Sequence, residues 1–215
     1  MLTVINMSSA IMMNNNMISN SKPSLQKIKE KPLVIITAPS GAGKTSITHY
    51  LLQQYSWLAF SISATTRKPR GSEQNGIDYH FISVKDFQQK IKENAFIEWE
   101  MVYEGKYYGT LKYELERIWA QQKIPLLDID VQGAIHVQQQ YPTQSLSIFI
   151  NPPSIEELKK RLQNRGTETP EALETRVNKA VYELSFKQHF NTIVTNDDFK
   201  RACSMVEIAI QNFLE

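Results

Sequence analysis

Residues 38–45 read Ala38-Pro39-Ser40-Gly41-Ala42-Gly43-Lys44-Thr45. Glycine, one residue, glycine, lysine and a hydroxyl have the spacing of a Walker A loop, with Ala38 standing where that pattern carries its first glycine. Such a loop turns successive backbone N–H groups inward onto phosphate oxygens, which requires dihedrals that glycine tolerates. A helix opening at the lysine adds its partial positive charge. In that frame residues 38–46, Ser46 included, wrap a triphosphate. Lys44 reaches its β- and γ-phosphates, and the Thr45 hydroxyl coordinates Mg²⁺. Ala38 fits provided that its φ is negative. The motif specifies triphosphate binding and no more, since GTPases, ATPases and small kinases share it.

A second set of residues could bind an anion. Arg67 and Arg70 flank a turn stiffened by Pro69, and their guanidinium groups could fork onto one phosphate. Tyr79 and Tyr108 could add phenolic donors. Each has a plainer reading: a solvated basic loop for the arginines, packing in a small sheet for the tyrosines. Glu98 lies in the apolar-aromatic stretch Phe96-Ile97-Glu98-Trp99, where a carboxylate must be exposed or paired. Asp128 and Asp130 are two apart on an expected strand, so their side chains share a face near its carboxyl end. Helix capping is the alternative for them. Asp128 is assigned to the Mg²⁺–phosphate side, as a possible ligand, and Asp130 to the acceptor. Arg161 and Arg165 are four apart on an expected helix and face one way, and Arg176 follows on the next. Surface helices carry arginines too, but set against the phosphate loop these three read as charges closing over a transferring phosphoryl group. His49, His80, His136 and His189 show no paired spacing and receive no role.

Taken together, these segments are specific. The array 61–71 (Ser61 to Gly71) with Glu73, Gly76, Asp78 and Tyr79, then Phe96 to Trp99, then Tyr107-Tyr108-Gly109-Thr110, closely resembles the GMP-binding region of guanylate kinases. The resemblance continues through Leu127 to Gly133, Pro152-Pro153-Ser154, Arg165 to Thr169 and Asn196-Asp197-Asp198, and covers about residues 33–213. The departures are Ala38, the order Thr45-Ser46, and one extra residue near Tyr103-Glu104. The resemblance implies ATP-dependent, Mg²⁺-requiring phosphorylation of GMP, with dGMP as a further acceptor. It implies that Glu98 meets the N1–H and 2-amino edge of guanine, and that Ser63 and Thr110 complete base recognition. It places Glu73 with Arg67 and Arg70 on the GMP side, and Asn196 with Arg165 on the ATP side. Two rivals remain: a related kinase for another phosphorylated acceptor such as a ribose bisphosphate, and a non-catalytic module binding phosphopeptides.

These residues need a scaffold. The apolar run 33–37 reads as a buried parallel strand entering the loop, and 44–54 as the helix leaving it. Residues 58–63 and 78–82 read as strands, with Asn75-Gly76 as a tight turn between them. Residues 125–130 and 146–150 read as core strands. Ser154 and Glu157 suggest a capping box opening a helix to about 164. A polar break at 165–170, a helix over 171–187, a strand over 191–195 and a helix over 199–213 complete the pattern. The fold expected is α/β: a mainly parallel central sheet flanked by helices, a β-rich insertion and a helical lid. The expected division is an N-terminal extension, 1–31, and a kinase-like unit, 32–215. Within that unit the core comprises 32–60, 113–150 and 188–215, the GMP-binding region 61–112, and the lid 151–187.

The 215 residues suit one α/β domain. A net charge of +2 provides no global field for nucleic acid, so arginine placement must do the phosphate binding. No apolar stretch approaches the length of a membrane span. The extension holds Met1, Met7, Met12, Met13, Met17 and the run Asn14-Asn15-Asn16, with no positive charge before Lys22 and no arginine before Arg67, so it resembles neither a secretory nor an organellar leader. It is expected to be disordered. The lone Cys203 excludes an intrachain disulfide and reads as a packed thiol in a reducing compartment, hence a cytoplasmic protein. ATP and GMP are the expected partners, with no nucleic acid and no membrane, in a monomer or homo-oligomer.

Overall fold

The structure, a computed structural model, describes residues 31–164 and 170–215. The expectations for the extension up to residue 30 and for residues 165–169, Arg165 included, lie outside these. The chain begins with β1 (Leu33–Thr37), α1 (Lys44–Gln54), β2 (Leu58–Phe60), β3 (Ala64–Thr65), β4 (His80–Phe81) and α2 (Val84–Lys92). Next come β5 (Phe96–Tyr103), β6 (Lys106–Leu111), α3 (Lys112–Ala120), β7 (Ile124–Asp128), α4 (Val131–Gln140) and β8 (Ser145–Asn151). It ends with α5 (Ile155–Gln163), α6 (Pro170–Leu184), β9 (Thr192–Thr195) and α7 (Phe199–Leu214).

The central sheet runs β2-β7-β1-β8-β9, with every neighbouring pair parallel. β1 lies in the middle and is apolar from Leu33 to Ile36, because helices cover both of its faces. Val34 and Ile36 pack against Ile47 and Leu51 of α1 and Val206 and Ile210 of α7. Leu33 and Ile35 point the other way, into Leu115 of α3 and Ala134 and Val137 of α4. The strand period of two thus divides one apolar run between two cores. Deleting a fully buried side chain such as Leu126 would cost about 2–5 kcal/mol. Cys203 is buried in the first core, on α7.

A second sheet, β4-β3-β6-β5, is built on the β5–β6 hairpin and packs Phe96 and Leu111 against Phe87 of α2. The hairpin pairing slips between Met101 and Tyr103, a bulge beside the Glu104–Gly105 turn where the sequence has its extra residue. α5 and α6 join through Leu158, Leu162, Leu173, Val177 and Ala180.

Three expected elements change. The strand over 58–63 ends at Phe60, because residues 61–63 leave the central sheet to reach the second one. The strand over 78–82 shrinks to β4, which pairs parallel with β3 instead of folding back across the Asn75-Gly76 turn. The strand over 125–130 stops at Asp128; Asp130 is the N-cap of α4, its carboxylate accepting from the Gly133 N–H at 2.7 Å. Asp128 and Asp130 therefore do not share a strand face. α2, α3 and α4 were not singled out in the sequence. Of these, α2 carries a readable cap, Ser83 accepting from the Asp86 N–H at 3.0 Å. Ser154 caps α5 as expected, but Glu157 turns to Arg161 (3.1 Å) instead of closing a capping box.

Candidate active site

The loop 38–43 joins the carboxyl end of β1 to the N-terminus of α1, in the crevice where parallel sheets of this kind bind ligands. Gly41 and Gly43 have φ of 91° and 97°, in the left-handed region. Ala38 is not among the non-glycine residues of positive φ, so the missing glycine does no harm. At Gly43 a Cβ would lie 2.2 Å from Nδ2 of Asn196. That amide, buried, donates to the Ala42 carbonyl at 2.8 Å and braces the loop from behind. Arg161 of α5 donates to the Asn196 backbone carbonyl (3.2 Å), which joins α5 to the same brace.

Lys44 crosses to the end of β7. Its Nζ lies 2.6 Å from Oδ1 of Asp128 and 2.9 Å from the Ile129 carbonyl. The Thr48 hydroxyl donates to the other Asp128 oxygen at 3.3 Å. Thr45 and Ser46 are exposed at the start of α1.

The second sheet carries the acceptor-side candidates. Arg67 forms a two-pronged ion pair with Glu73 (2.5 and 2.7 Å), and its Nε donates to the Tyr108 hydroxyl at 3.1 Å. Its guanidinium also lies over the Tyr79 ring, 4.8 Å from the centroid. The pairing with Arg67 holds the Glu73 carboxyl down at about 2 and pushes Arg67 up. Arg70 is exposed, and its backbone N–H donates to Glu73 at 2.7 Å. Glu73, Tyr79 and Tyr108, the partners of Arg67, line the cavity described below, but neither Arg67 nor Arg70 forms part of its wall.

Glu98, on β5, is 8 % exposed. The Thr110 hydroxyl opposite it on β6 donates to Oε1 at 2.6 Å. Oε2 lies against the start of α4, where a Cβ on Gly133 would stand 2.7 Å from it. Glycine is required there by this close approach. Burial pushes the Glu98 carboxyl up to about 7, with the Asp130 charge adding to the rise and the Thr110 hydrogen bond opposing it. This is a carboxyl poised to be ionised by a partner that donates to it.

One cavity of about 630 Å³ joins the two sets. Lys44, Thr45 and Asp128 line one side; Ser63, Glu73, Tyr79, Glu98, Tyr108 and Asp130 line the other. Thr110 is buried behind Glu98. Arg176 is half-buried on α6, and neither it nor Arg161 forms part of the cavity wall. Glu100 and Lys179 do line it and were not singled out in the sequence. Glu100 could have been found from the strand period, two residues after Glu98. Lys179 could have been found from its place one helical turn after Arg176. As for a metal, the Thr45 hydroxyl and Asp128 carboxylate are hard oxygen donors on the phosphate-side wall. They suit Mg²⁺, which takes one or two protein oxygens and fills the rest with water and phosphate.

No helix among the described residues is long and apolar enough to cross a membrane. The family model described as guanylate kinase matches residues 29–213. The guanylate kinase of Bacteroides fragilis is 46 % identical over 188 residues, covering 87 % of this chain and 92 % of that one. That of Porphyromonas gingivalis is 46 % identical over 183 residues, covering 85 % and 97 %. The crystal structure of guanylate kinase from Anaplasma phagocytophilum superposes with a TM-score of 0.70 at 25 % identity, covering 87 % of each chain. With a Walker-type loop facing an acidic acceptor wall, and relatives matched over nearly their whole length, this chain belongs to the guanylate kinase family.

Proposed function

We propose that the cavity is where the γ-phosphate of ATP passes to the phosphate of GMP. The observation that carries this reading is the single cavity itself: the loop lysine and the buried, donor-seeking Glu98 open onto the same space. ATP lies along residues 38–46, its phosphates held by loop amides and the N-terminus of α1. GMP lies against the second sheet. Its base edge meets Glu98, with Ser63 and Thr110 beside it, and its phosphate meets Arg67, Arg70, Tyr79 and Tyr108. Asp130 faces the acceptor nucleoside.

Thr45 and Asp128 would hold Mg²⁺, which when bound neutralises phosphate charge. Lys44 exchanges its Asp128 and Ile129 partners for phosphate oxygens as the nucleotide enters. Arg161, Arg165 and Arg176 belong to a lid, 151–187, which closes to exclude water and to spread positive charge over the transferring group. No general base is needed, because the GMP phosphate is already an oxyanion. The GMP-binding region spans 61–112 and the remaining segments form the core.

ADP release measured with ATP and Mg²⁺ against GMP, AMP or no acceptor tests this. Release with GMP alone is expected. Equal release with AMP, or release without acceptor, would overturn it.

A further inference from the structure

Between β2 and β3 the chain crosses from one sheet to the other in the three residues 61–63, and each is held by a different partner. The Ser61 N–H still belongs to the central sheet, donating to the Leu126 carbonyl of β7 at 3.0 Å. The Ser63 carbonyl already belongs to the second sheet, accepting from the His80 N–H of β4 at 2.9 Å. In mid-crossing the Ile62 N–H turns to a side chain: it donates to Oε1 of Glu114, on α3, at 3.1 Å. The Ser61 hydroxyl gives no help, being buried with no partner among the described residues.

Glu114 is 0 % exposed. Arg117, one turn along α3, donates to both of its oxygens, at 3.0 and 2.6 Å. Nε2 of His80 stands 3.8 Å from Oε2, with the Tyr113 hydroxyl 3.0 Å from that same nitrogen. α3 is itself fixed in the core, where Leu115 and Ile118 are fully buried. A buried ion pair is a weak source of stability, since apolar residues of similar volume often replace one without loss. What a carboxylate supplies here, and an apolar side chain would not, is an acceptor for the main-chain N–H of the crossing.

We propose that Glu114 is a positioning residue for the acceptor side: from a helix anchored in the core it fixes the Ile62 amide, and so sets where Ser63, the next residue, stands in the cavity wall. The inference rests on the reading that the cavity takes GMP with Ser63 beside its base. Glu114 does not line the cavity and acts only through the crossing. Loss of this acceptor therefore weakens acceptor binding and leaves the ATP side alone.

The test is steady-state kinetics of the full chain with GMP and ATP varied separately, alongside thermal melts. The variants are Arg117→Met, Glu114→Gln, the double variant Glu114→Met/Arg117→Met, and Ser63→Ala alone and added to the double variant. Arg117→Met strands the buried carboxylate and Glu114→Gln breaks the ion pair, so both should melt below wild type. Both keep an oxygen for the Ile62 N–H and should hold KM for GMP within about twofold of wild type. The double variant removes the whole ion pair and fills its volume, so its melting temperature should stay near that of wild type. It has no acceptor for Ile62, and KM for GMP should rise about tenfold, the scale of one hydrogen bond to a charged group, with KM for ATP within about twofold. Ser63→Ala should raise KM for GMP in the wild type and add little in the double variant, because the two act at one contact. A merely structural Glu114 would leave KM for GMP unmoved or make it follow the melting temperature. An unchanged KM for GMP in the double variant, an equal rise in KM for ATP, a raised KM for GMP in Arg117→Met or Glu114→Gln, or full additivity with Ser63→Ala would each overturn the proposal. Should the double variant fail to fold, Glu114→Asp decides it. That side chain keeps its charge for Arg117, which is 40 % exposed and free to follow, but draws back from the Ile62 amide. KM for GMP should then rise several-fold, and an unchanged value overturns the proposal. If the wild-type chain neither binds nor phosphorylates GMP, or Ser63→Ala leaves its KM unchanged, the reading of the cavity fails and this inference falls with it. If wild type and Ser63→Ala behave as expected and the double variant keeps the wild-type KM, only the role of Glu114 falls.

Discussion

Replacing Glu98 by Gln separates what this carboxyl does for recognition from what it does for stability, because the two effects have opposite signs. Burial raises the Glu98 carboxyl from the ordinary 4.5 to about 7. The folded chain therefore binds that proton more tightly than the unfolded chain. The stability associated with it is complete below about pH 4.5 and is lost as pH rises through about 7. Above pH 7 the loss amounts to about 3 kcal/mol. Gln has nothing to ionise and escapes it, while its amide oxygen can still accept from Thr110, now 2.6 Å from Oε1. At pH 8 the variant should melt several degrees above wild type, at about 2–4 °C per kcal/mol, and the difference should vanish near pH 4.5.

Recognition should move the other way. Guanine offers two adjacent donors, N1–H and the 2-amino group. An ionised carboxylate accepts both, whereas an amide accepts one and turns an N–H on the other. The loss is about 3–4 kcal/mol, or 10²–10³ in kcat/KM for GMP. AMP, with an acceptor at N1 and no 2-amino group, should lose little, so the GMP/AMP ratio collapses. In the wild type, kcat/KM for GMP should rise as pH passes through about 7, and that step should be missing in the variant. Thermal melts from pH 4.5 to 8 and steady-state kinetics with both acceptors make the comparison. An unchanged GMP/AMP ratio, or activity and stability lost together, would refute the reasoning.

Other outcomes follow from the same geometry. Lys44→Ala removes the charge now 2.6 Å from Asp128 and should lower turnover by about 10²–10⁴ with the fold intact by circular dichroism. Gly43→Ala must hold φ near 97° and set a Cβ 2.2 Å from the Asn196 amide. Strain of about 1–3 kcal/mol and loss of the Asn196–Ala42 brace should lower the melting temperature and raise KM for ATP more than KM for GMP. Deleting residues 2–30 leaves the Lys31–Glu116 ion pair (2.7 Å) in place and should leave melting temperature and turnover nearly unchanged, as scanning calorimetry and the ADP assay would register.

Local chemistry is what the sequence made legible. The run 33–37 read as a strand buried on both faces, and Gly41-Ala42-Gly43-Lys44-Thr45 as a loop turning amides inward before a helix. The pairing of a phosphate loop with the 61–110 array pointed to the guanylate kinase family on residues alone. Glu98 was visible because an acid in an apolar-aromatic stretch must be exposed or paired. Where tertiary structure decided, the reason was in each case a contact between segments distant in sequence. Asp130 is a helix cap as well as a cavity wall, because β7 ends two residues before it; nothing local marks that end. Asn196 braces a loop 154 residues away, and Gly133 is small because Glu98 of another element stands over it. Glu100 and Lys179 are ordinary surface residues by composition, and only the strand period and the packing of α6 turn both toward one cavity. The residue types and their order determined which chemistry was available, and long-range packing determined which side chains could share it, because burial and charge are properties of neighbours that a linear chain does not display.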